Sequence, residues 1–222
     1  MKVVEIFGSI DGEGKRTGQL ATFIRLAGCN LRCVYCDTKY SFDESKAKDM
    51  SIEEIVTECK KIGYHNITLT GGEPLLNEEQ VQFLIYELCR KGFQVNIETN
   101  GSIDLRKLTI ERVLQGLDFF FTVDFKTIYS GMRKKMNPHS FDCLDYDKDI
   151  VKCVVASKED MKDAEEYLGS FESKKFNIWF SPVFGVIEPK EIVQYIKDRN
   201  RQDITVQVQL HKIIWHPDER GV

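Results

Sequence analysis

The sequence predicts a single α/β domain over residues 1–222, folded as an open, partial parallel β/α barrel of about six units. Short β-branched or apolar runs alternate with stretches whose apolar residues recur every three to four positions, which are the patterns of buried strands and amphipathic helices. Such alternation is typical of βαβ units around a parallel sheet. About six βα units are too few to close an eight-fold barrel, and we therefore expect an open barrel.

The first half of the chain contains three predicted strands and two predicted helices. A Ser-x-x-Glu capping box at Ser51 begins one helix, which we expect to reach Ile62 before Gly63. The second helix follows Asn77, carries its apolar residues on one face and stops at Gly92. The strands are short apolar runs that stop at or just before a glycine: Thr22 to Leu26, Ile67 to Thr70 and Phe93 to Thr99.

The second half continues the alternation. Leu117 to Val123 is almost continuously apolar, as strands buried on both faces are. Helices are predicted from Ser157 and from Pro189 to about Asp198. Ligands of open parallel sheets bind at the carboxyl ends of the strands, so we expect the functional residues there. The remaining predicted strands are Ile150 to Val155, Asn177 to Pro182 and Ile204 to Leu210.

Composition limits the classes of partner. Lys and Arg number 31 against 35 Asp and Glu, which gives a net charge of −4, and no Lys/Arg cluster stands out as a nucleic-acid surface. No apolar run is long enough to span a bilayer, and Met1 to Ile10 lacks the apolar stretch of a signal peptide. We therefore expect a cytoplasmic protein without a nucleic-acid or membrane partner, and a homodimer is left open.

Of the seven cysteines, three lie within eight residues, at Cys29, Cys33 and Cys36. The other four are scattered through apolar segments, where reduced cysteines are usually buried as small apolar residues. Three thiolates in one short loop can bind three irons of a 4Fe–4S cluster and leave the fourth iron open to a substrate. The alternative is a structural zinc site with a distant fourth ligand, such as His65 or Cys59.

The spacing Cys-x3-Cys-x2-Cys, with Tyr35 before the last cysteine, resembles the signature of the radical S-adenosylmethionine (SAM) superfamily. The resemblance implies that the three cysteines bind a 4Fe–4S cluster and that the amino and carboxylate groups of SAM chelate its open iron. One electron from the cluster then breaks the sulfonium C–S bond and yields a 5′-deoxyadenosyl radical. The partial barrel of that superfamily and a flavodoxin- or ferredoxin-type reductant are implied as well.

A second motif, Thr70-Gly-Gly-Glu-Pro74, lies at the end of a predicted strand. Glycines allow a backbone to approach a ligand closely, and Glu73 offers an acceptor for an ammonium group. The motif resembles the Gly-Gly-Glu segment of the superfamily, which contacts the methionine amino group of SAM. Without the cysteines it would equally fit an ordinary strand-to-helix turn.

Motifs along nearly the whole chain are similar to those of the 7-carboxy-7-deazaguanine synthase family. They are Ser9 to Gly14, Phe23 to Cys33, Cys36-Asp-Thr38 and Gln209 to Trp215. Enzymes of this family contract the ring of 6-carboxy-5,6,7,8-tetrahydropterin, with loss of ammonia, on the route to 7-deazapurines such as queuosine. The resemblance therefore implies a carbon–nitrogen lyase that uses a 4Fe–4S cluster, SAM and Mg²⁺.

The same resemblance assigns site residues but no acid–base residue beyond groups that position the cofactors. Many relatives have Gln where Asp11 stands, and the resemblance is weakest over residues 126–149. Residues at SAM positions are Tyr35, Cys36, Asp37, Gly71, Gly72, Glu73, Asp124, Phe125, Lys126, Ser181, Pro182, Val183 and Phe184. Residues at substrate positions are Ile10, Asp11, Gly12, Glu13, Arg25, Thr70, Gln209, His211 and Val222, and Thr38 is at the Mg²⁺ position.

Three of these positions also have a physical interpretation. Arg25 shares a strand face with Phe23, and a buried arginine is costly unless it pairs with a substrate carboxylate or with an Asp or Glu of the protein. His211 continues the polar series of Gln207 and Gln209 just after the predicted strand Ile204 to Leu210, and that series either lines the barrel or meets solvent. The resemblance implies that the terminal carboxylate of Val222 contacts the pterin, whereas most termini are frayed.

Two other functions share parts of this pattern. A glycyl-radical activase has the same cysteine spacing but acts on a protein, which would leave Arg25, Thr38 and His211 unexplained. A non-catalytic iron–sulfur or zinc-binding module would leave Gly71 to Glu73 without a role. Cleavage of SAM by the reduced protein distinguishes an enzyme from such a module.

Overall fold

In a computed structural model, which describes residues 1–172, 174–216 and 219–222, one nine-stranded sheet forms the centre of the molecule. Its strand order is β3-β1-β2-β4-β5-β6-β7-β8-β9, so β3 and β9 are the edges. Neighbours from β2 to β9 are parallel, whereas β1 is antiparallel to β2 and β3. The strands are β1 (Lys2–Ile10), β2 (Leu20–Leu26), β3 (Lys48–Asp49), β4 (Asn66–Gly71), β5 (Gln94–Thr99), β6 (Phe119–Phe125), β7 (Ile150–Val155), β8 (Ile178–Pro182) and β9 (Ile204–Val206).

Helices connect most of the parallel strands, and none in the described ranges is long and apolar enough to cross a membrane. The predicted capping box of the first helix is present: the Glu54 amide donates to Ser51 Oγ, and the Ser51 amide donates to the Glu54 carboxylate. Gly63 ends that helix in the left-handed region, with φ of 85°. The helices are α1 (Ile52–Ile62), α2 (Glu78–Arg90), α3 (Arg106–Gln115), α4 (Lys158–Gly169), α5 (Pro189–Asp198) and α6 (His211–Ile214).

The two faces of the sheet differ in chemistry because side chains alternate along each strand. One face carries apolar side chains of the hydrophobic core, such as the fully buried Ile24, Leu69 and Phe121. The other is the inner face, which surrounds the candidate site. Adjacent strands place polar residues side by side there, as in the pairs Arg25 with Thr70, Glu98 with Thr122 and Asp124 with Lys152.

Residues 11–19, between β1 and β2, form a loop against the inner face, which we call the plug loop. The Arg16 guanidinium donates to the carbonyl oxygens of Gln94 and Ile67, near the amino ends of β5 and β4. Arg16 also forms a buried ion pair with Asp11, with 2.9 Å between Nε and Oδ2. The plug loop therefore fills the amino end of the barrel and leaves the carboxyl end open.

Residues 126–149, over which the family resemblance is weakest, are anchored at two points. Phe141 is fully buried, and its ring lies 6.0 Å from that of Phe125 in an edge-on arrangement. Asp149 accepts hydrogen bonds from Arg112 Nη1 at 2.6 Å and Nη2 at 2.9 Å. The segment is thus an ordered cover beside the sheet.

The last predicted strand, Ile204 to Leu210, is wrong in length. β9 ends at Val206, and His211 begins the short helix α6 instead of lying on a strand face. The strand stops where the Gln207 side chain turns inward and its Oε1 accepts a hydrogen bond from the Gly14 amide at 2.8 Å. A polar contact inside the barrel therefore overrides the alternating pattern.

Candidate active site

A cavity of about 520 Å³ lies against the inner face, and its wall holds most of the residues assigned from the sequence. The assigned residues that line it are Ile10, Asp11, Gly12, Glu13, Arg25, Cys29, Cys33, Tyr35, Cys36, Asp37, Thr38, Thr70, Gly71, Gly72, Asp124, Lys126, Val183, Phe184, Gln209, His211 and Val222. Those that do not are Glu73, Phe125, Ser181 and Pro182. The fold therefore brings the cysteine loop, three strand ends and the carboxyl-terminal residues to one place.

Three of the residues outside the wall are buried behind it. The side chain of Phe125 packs in the hydrophobic core against Phe141, which leaves its backbone for the expected contact with SAM, and that contact stays a prediction. Ser181 Oγ donates to Glu13 Oε1 at 2.8 Å, and Pro182 is the last residue of β8. The side chains of Phe125, Ser181 and Pro182 therefore lie behind the cavity wall and do not face the cavity.

Glu73 joins two strand ends. Its Oε1 accepts hydrogen bonds from the Leu75 amide at 3.0 Å and the Thr99 hydroxyl at 2.8 Å, and its Oε2 accepts one from the Asn100 amide at 2.7 Å. Burial raises the pKa of this carboxyl to about 7, although the hydrogen bonds oppose the rise. The Glu73 carboxylate thus connects the loops after β4 and β5, and its expected contact with the ammonium group of SAM stays a prediction.

The cysteine loop follows β2 and places Cys29, Cys33 and Cys36, all partly buried, on the cavity wall. Burial raises the pKa of the Cys33 thiol to about 11, so cluster binding must displace a proton. In the part of the chain that the structure describes, no three His, Cys, Asp or Glu side chains are grouped around one metal ion. A cubane cluster needs no such group, because each thiolate binds a different iron. The donor set therefore fits a 4Fe–4S cluster.

The ligands that a structural zinc site would add are elsewhere. Cys59 is fully buried on α1 within the hydrophobic core, and burial raises the pKa of its thiol to about 12. His65 is exposed and immediately precedes β4, at the amino end of the sheet. Neither residue lines the cavity with the three cysteines.

Gly72 lies against the beginning of the cysteine loop. Its amide donates to Leu26 O at 3.1 Å, and the next amide, of Glu73, donates to Gly28 O at 2.8 Å. A Cβ atom at Gly72 would stand 2.0 Å from Gly28 O and 2.7 Å from Cys29 Cβ. Only glycine fits without displacing this backbone, so the Gly-Gly-Glu segment and the cysteine loop hold a fixed relative position.

Arg25 lies on the cavity wall near the carboxyl end of β2. Its Nε donates to Glu5 Oε1 at 2.7 Å, and Tyr40 OH donates to the same oxygen at 2.9 Å. Of the two partners considered for Arg25, the structure therefore contains the carboxylate of the protein. This bond uses Nε, and the two terminal guanidinium nitrogens are the atoms through which Arg25 can bind a second carboxylate.

Four charged side chains meet on the cavity wall, and we call Glu13, Asp124, Lys126 and Lys152 the buried ion-pair group. Lys152 Nζ is 3.2 Å from Glu13 Oε2 and 3.6 Å from Asp124 Oδ2, and Lys126 Nζ is 2.9 Å from Asp124 Oδ2. Burial alone would raise the pKa of both carboxyls, but the neighbouring lysine charges outweigh it and hold each pKa below its ordinary value. All four groups are therefore charged near neutral pH.

Among the wall residues that sequence reasoning missed are two charged residues of the strands, Lys152 and Glu98. Both are charged residues inside short runs that otherwise read as buried strands, β7 and β5. Thr70 Oγ1 donates to Glu98 Oε2 at 3.2 Å, which ties the missed residue to an assigned one. A charged side chain in a buried strand is costly unless it forms an ion pair or binds a ligand. The presence of such a charge could therefore have identified both residues.

Thr38, the expected Mg²⁺ ligand, donates from Oγ1 to Asp37 Oδ1 at 2.9 Å, and Lys212 Nζ is 2.9 Å from Asp37 Oδ2. Burial raises the pKa of Asp37, but the Lys212 charge and the two hydrogen bonds outweigh it and lower that pKa to about 2. Hydroxyl and carboxylate oxygens are donors that Mg²⁺ accepts, and it keeps most of its other positions for water or substrate. The pair fits a magnesium site in donor type, with Asp37 as a further candidate ligand.

The carboxyl-terminal residues return to the cavity. The His211 ring lies against the plug loop, because a Cβ on Gly12 would stand 2.2 Å from His211 Nδ1. Burial lowers the pKa of His211, which favours the neutral imidazole at pH 7. Val222 is on the wall and is half-buried, and the expected contact of its carboxylate with the pterin stays a prediction. Pro217 and Asp218 lie outside the described residues.

Asp11 is less available to a ligand than the resemblance implied. Its Oδ2 accepts from Arg16 Nε at 2.9 Å, and its Oδ1 accepts from Thr68 Oγ1 at 2.5 Å. Burial raises the pKa of this carboxyl to about 6, against the opposing charge of Arg16. Both oxygens of Asp11 thus accept hydrogen bonds within the protein, one from Arg16 of the plug loop and one from Thr68 of β4, although the residue lines the cavity.

Known proteins match this chain over most of its length. A sequence profile of the Radical SAM superfamily matches residues 23–164. A 7-carboxy-7-deazaguanine synthase of Clostridium acetobutylicum is 45% identical, over 100% of this chain and 99% of the relative, and one of Methanospirillum hungatei is 38% identical over 98% and 86%. The crystal structure of QueE from Escherichia coli superposes with a TM-score of 0.72 at 24% identity, over 94% of this chain and 93% of that chain. The chain therefore belongs to the radical SAM superfamily and, within it, to the 7-carboxy-7-deazaguanine synthase family.

Proposed function

We propose that the chain contracts the ring of 6-carboxy-5,6,7,8-tetrahydropterin to 7-carboxy-7-deazaguanine, with release of ammonia, and is thus a radical SAM carbon–nitrogen lyase. The observation that carries the proposal is a single cavity walled by the three cysteines, Gly71-Gly72, Arg25 and the buried ion-pair group. Membership of the synthase family supports the same reaction. We take residues 1–222 to be one domain, because the cavity draws its wall from both ends of that range.

The superfamily uses a 4Fe–4S cluster and SAM, which here would bind at the cysteine loop and along the end of β4. Bound and reduced, they supply the 5′-deoxyadenosyl radical. The residues of the chain position these groups. Gly72 lets its segment lie directly against Cys29, and Glu73 connects the ends of β4 and β5 behind it. Asp124 Oδ1 is buried without a hydrogen-bond partner among the described residues, which suits a hydroxyl or ammonium donor of a ligand.

The other side of the cavity suits a carboxylated pterin. The terminal nitrogens of Arg25 can bind the substrate carboxylate while Nε keeps its bond to Glu5. Glu13 is ionised, and His211 is biased toward its neutral form, so both can accept hydrogen bonds from the N–H groups of the pterin ring. Val222, on the same wall, completes the proposed contacts to the ring, and Thr38 with Asp37 would hold Mg²⁺ beside the substrate.

The reaction needs an external electron, for which we propose a flavodoxin- or ferredoxin-type donor. We place the reaction in the cytoplasm, because all seven cysteines are unpaired thiols, which suits a reducing compartment. No acid–base residue is proposed beyond the groups named above.

The test is an anaerobic incubation of the reconstituted protein with dithionite, SAM and 6-carboxy-5,6,7,8-tetrahydropterin. We expect 5′-deoxyadenosine, ammonia and a product with the mass of 7-carboxy-7-deazaguanine. Cleavage of SAM that proceeds without any change in the mass of the pterin would refute the proposed substrate and favour a glycyl-radical activase. Absence of both iron and SAM cleavage would favour a non-catalytic module.

A further inference from the structure

The last helix, α6, is held mainly by the polar contacts at its amino end. It has only four residues, far fewer than a helix needs to be stable in isolation, and its apolar residues Ile213 and Ile214 are both exposed. Hydrophobic packing therefore contributes little to the position of α6. Its first residue, His211, nevertheless lines the cavity and is proposed to contact the pterin, so the position of α6 matters for the substrate side of the cavity.

The residues on either side of His211 connect α6 to other parts of the cavity wall. The Leu210 amide donates to Gly12 O at 3.0 Å, which ties the start of α6 to the plug loop. Lys212 Nζ is 2.9 Å from Asp37 Oδ2, and Asp37 immediately follows Cys36 in the sequence. Lys212 therefore ties α6 to the segment that carries the expected cluster ligands.

The Lys212 side chain is largely covered, whereas the two side chains that it contacts are open to the cavity. The side chain of Lys212 is 10% exposed and that of Asp37 is 52% exposed. Lys212 Nζ also lies 5.6 Å from the centre of the Phe184 ring, within cation–π distance, and Phe184 is exposed on the cavity wall. Asp37 and Phe184 both stand at positions expected to contact SAM, so Lys212 links α6 to the SAM side of the cavity.

This link gives SAM a physical route to the substrate side. A ligand that orders Asp37 and Phe184 fixes both neighbours of the Lys212 ammonium group and thereby restricts the motion of α6. The protein then loses less conformational freedom when the pterin binds at His211. Because such coupling is reciprocal, the pterin must tighten the binding of SAM by the same factor.

We propose that Lys212 is a positioning residue that couples the binding of SAM to the binding of the pterin; this inference rests on the proposed function. Lys212 acts on the pterin through its ion pair with Asp37 and the resulting position of α6. Because Asp37 is open to solvent, Lys212→Met leaves no buried unpaired charge. The unbranched methionine also keeps most of the apolar stem of the lysine, so we expect this variant to fold.

The test compares the reconstituted wild type with Lys212→Met, Lys212→Arg, Asp37→Asn and the double variant Lys212→Met/Asp37→Asn. The matched control is Lys190→Met, the same substitution at an exposed residue of α5. The first readout is the Kd of 6-carboxy-5,6,7,8-tetrahydropterin, measured by anaerobic calorimetry with and without saturating SAM and without reductant, so that nothing turns over. The second is hydrogen exchange with SAM alone at the Ile214 and Trp215 amides, which donate to Leu210 O and His211 O in α6.

In the wild type and in Lys190→Met, we expect SAM to lower the pterin Kd by roughly fivefold or more and to slow exchange at both amides. In Lys212→Met, SAM should change neither the pterin Kd nor the exchange. Lys212→Arg should keep most of both effects, because arginine can still pair with Asp37. Asp37→Asn should lose the coupling as Lys212→Met does, and the double variant should lose no more than either single variant.

The two readouts separate this proposal from the proposed function. Wild type that binds SAM but does not bind the pterin counts against the proposed substrate. The exchange measurement uses SAM alone, so it still shows whether Lys212 transmits the effect of SAM to α6.

Three results would overturn the proposal. Wild type in which SAM alters neither the pterin Kd nor the exchange of α6 would leave no coupling for Lys212 to transmit. A full SAM effect in Lys212→Met would show that the coupling does not pass through this residue. Coupling that is lost in Lys212→Met but intact in Asp37→Asn would mean that Lys212 contacts a ligand directly and does not act through Asp37.

Discussion

Replacing Lys152 with methionine removes an ammonium group that lies 3.2 Å from Glu13 Oε2 and 3.6 Å from Asp124 Oδ2. The Lys152 side chain is 8% exposed and that of Glu13 is 11% exposed, so water cannot replace the lost charge. Asp124 keeps Lys126 at 2.9 Å, whereas Glu13 keeps only the Ser181 hydroxyl among the hydrogen bonds described here. The variant therefore buries a carboxylate that has lost its nearest cation.

We expect this substitution to lower the free energy of unfolding by about 3 kcal/mol near pH 8, the range found when one partner of a buried ion pair is removed. The cost should shrink near pH 5. In the wild type the Glu13 pKa is lowered, so its contribution is present above the ordinary value and is lost as pH falls through the lowered one. In the variant, burial acts without Lys152 and raises the Glu13 pKa, so protonation at low pH relieves the penalty.

The assay is anaerobic urea denaturation of the apoprotein near pH 5 and near pH 8, with Lys190→Met as an exposed control within about 0.5 kcal/mol of wild type. The double variant Lys152→Met/Glu13→Gln should recover most of the loss, because it removes the unpaired charge as well. A loss of equal size at both pH values, or no recovery in the double variant, would refute the assignment of the penalty to Glu13.

Four further outcomes follow from the site. Cys33→Ala should abolish iron binding and SAM cleavage, whereas Cys59→Ala should keep both and cost about 1 kcal/mol of packing stability in denaturation; full activity of the first variant would remove the cluster assignment. Thr38→Val should weaken the Mg²⁺ stimulation of turnover with an unchanged cluster spectrum, and Thr38→Ser should retain more of it; identical Mg²⁺ titrations in all three proteins would reject the role. Arg25→Lys should weaken pterin binding by about 2 kcal/mol, since lysine lacks the planar fork, and an unchanged Kd would show that Arg25 serves Glu5 alone. Extra residues after Val222 should raise the pterin KM but leave uncoupled SAM cleavage unchanged, and wild-type kinetics in the extended chain would exclude contact at that end.

The helices and central strands were predictable because their signals are local. The capping box at Ser51 and the apolar face after Asn77 depend only on nearby residues, and both helices lie where expected. β1 and α3 were not predicted. β1 is partly exposed and owes its place to pairing with β2 and β3, and α3 exposes Val113 and Leu114, which blurs its apolar face. Elements defined by distant partners leave a weak trace in the sequence.

The residues of the candidate site show the same difference between local signals and contacts with distant residues. The cysteines and Gly72 belong to short motifs, so their positions could be predicted, and the close approach of Gly72 to Gly28 gives the motif a steric reason. The Glu5 partner of Arg25 lies in a different strand, and the Lys152 contact with Glu13 joins residues 139 apart in the chain. Only the three-dimensional register of the strands brings these groups together, so no local pattern could identify the pairs.

The contacts of the plug loop have a consequence for the order in which the molecule can be made. Glu13 bonds Ser181 across 168 residues, and Gly14 bonds Gln207 across 193. Because synthesis proceeds from the amino terminus, the cysteine loop and the strand ends beside it can fold on the ribosome while these distant partners are still absent. We expect the cysteine loop and the ends of β2 and β4 to form during translation, whereas the plug-loop contacts and the SAM positions Val183 and Phe184 form only when β8 and the residues after it arrive. A nascent or truncated chain thus has its cluster ligands in place before it has a complete site for SAM or for the substrate.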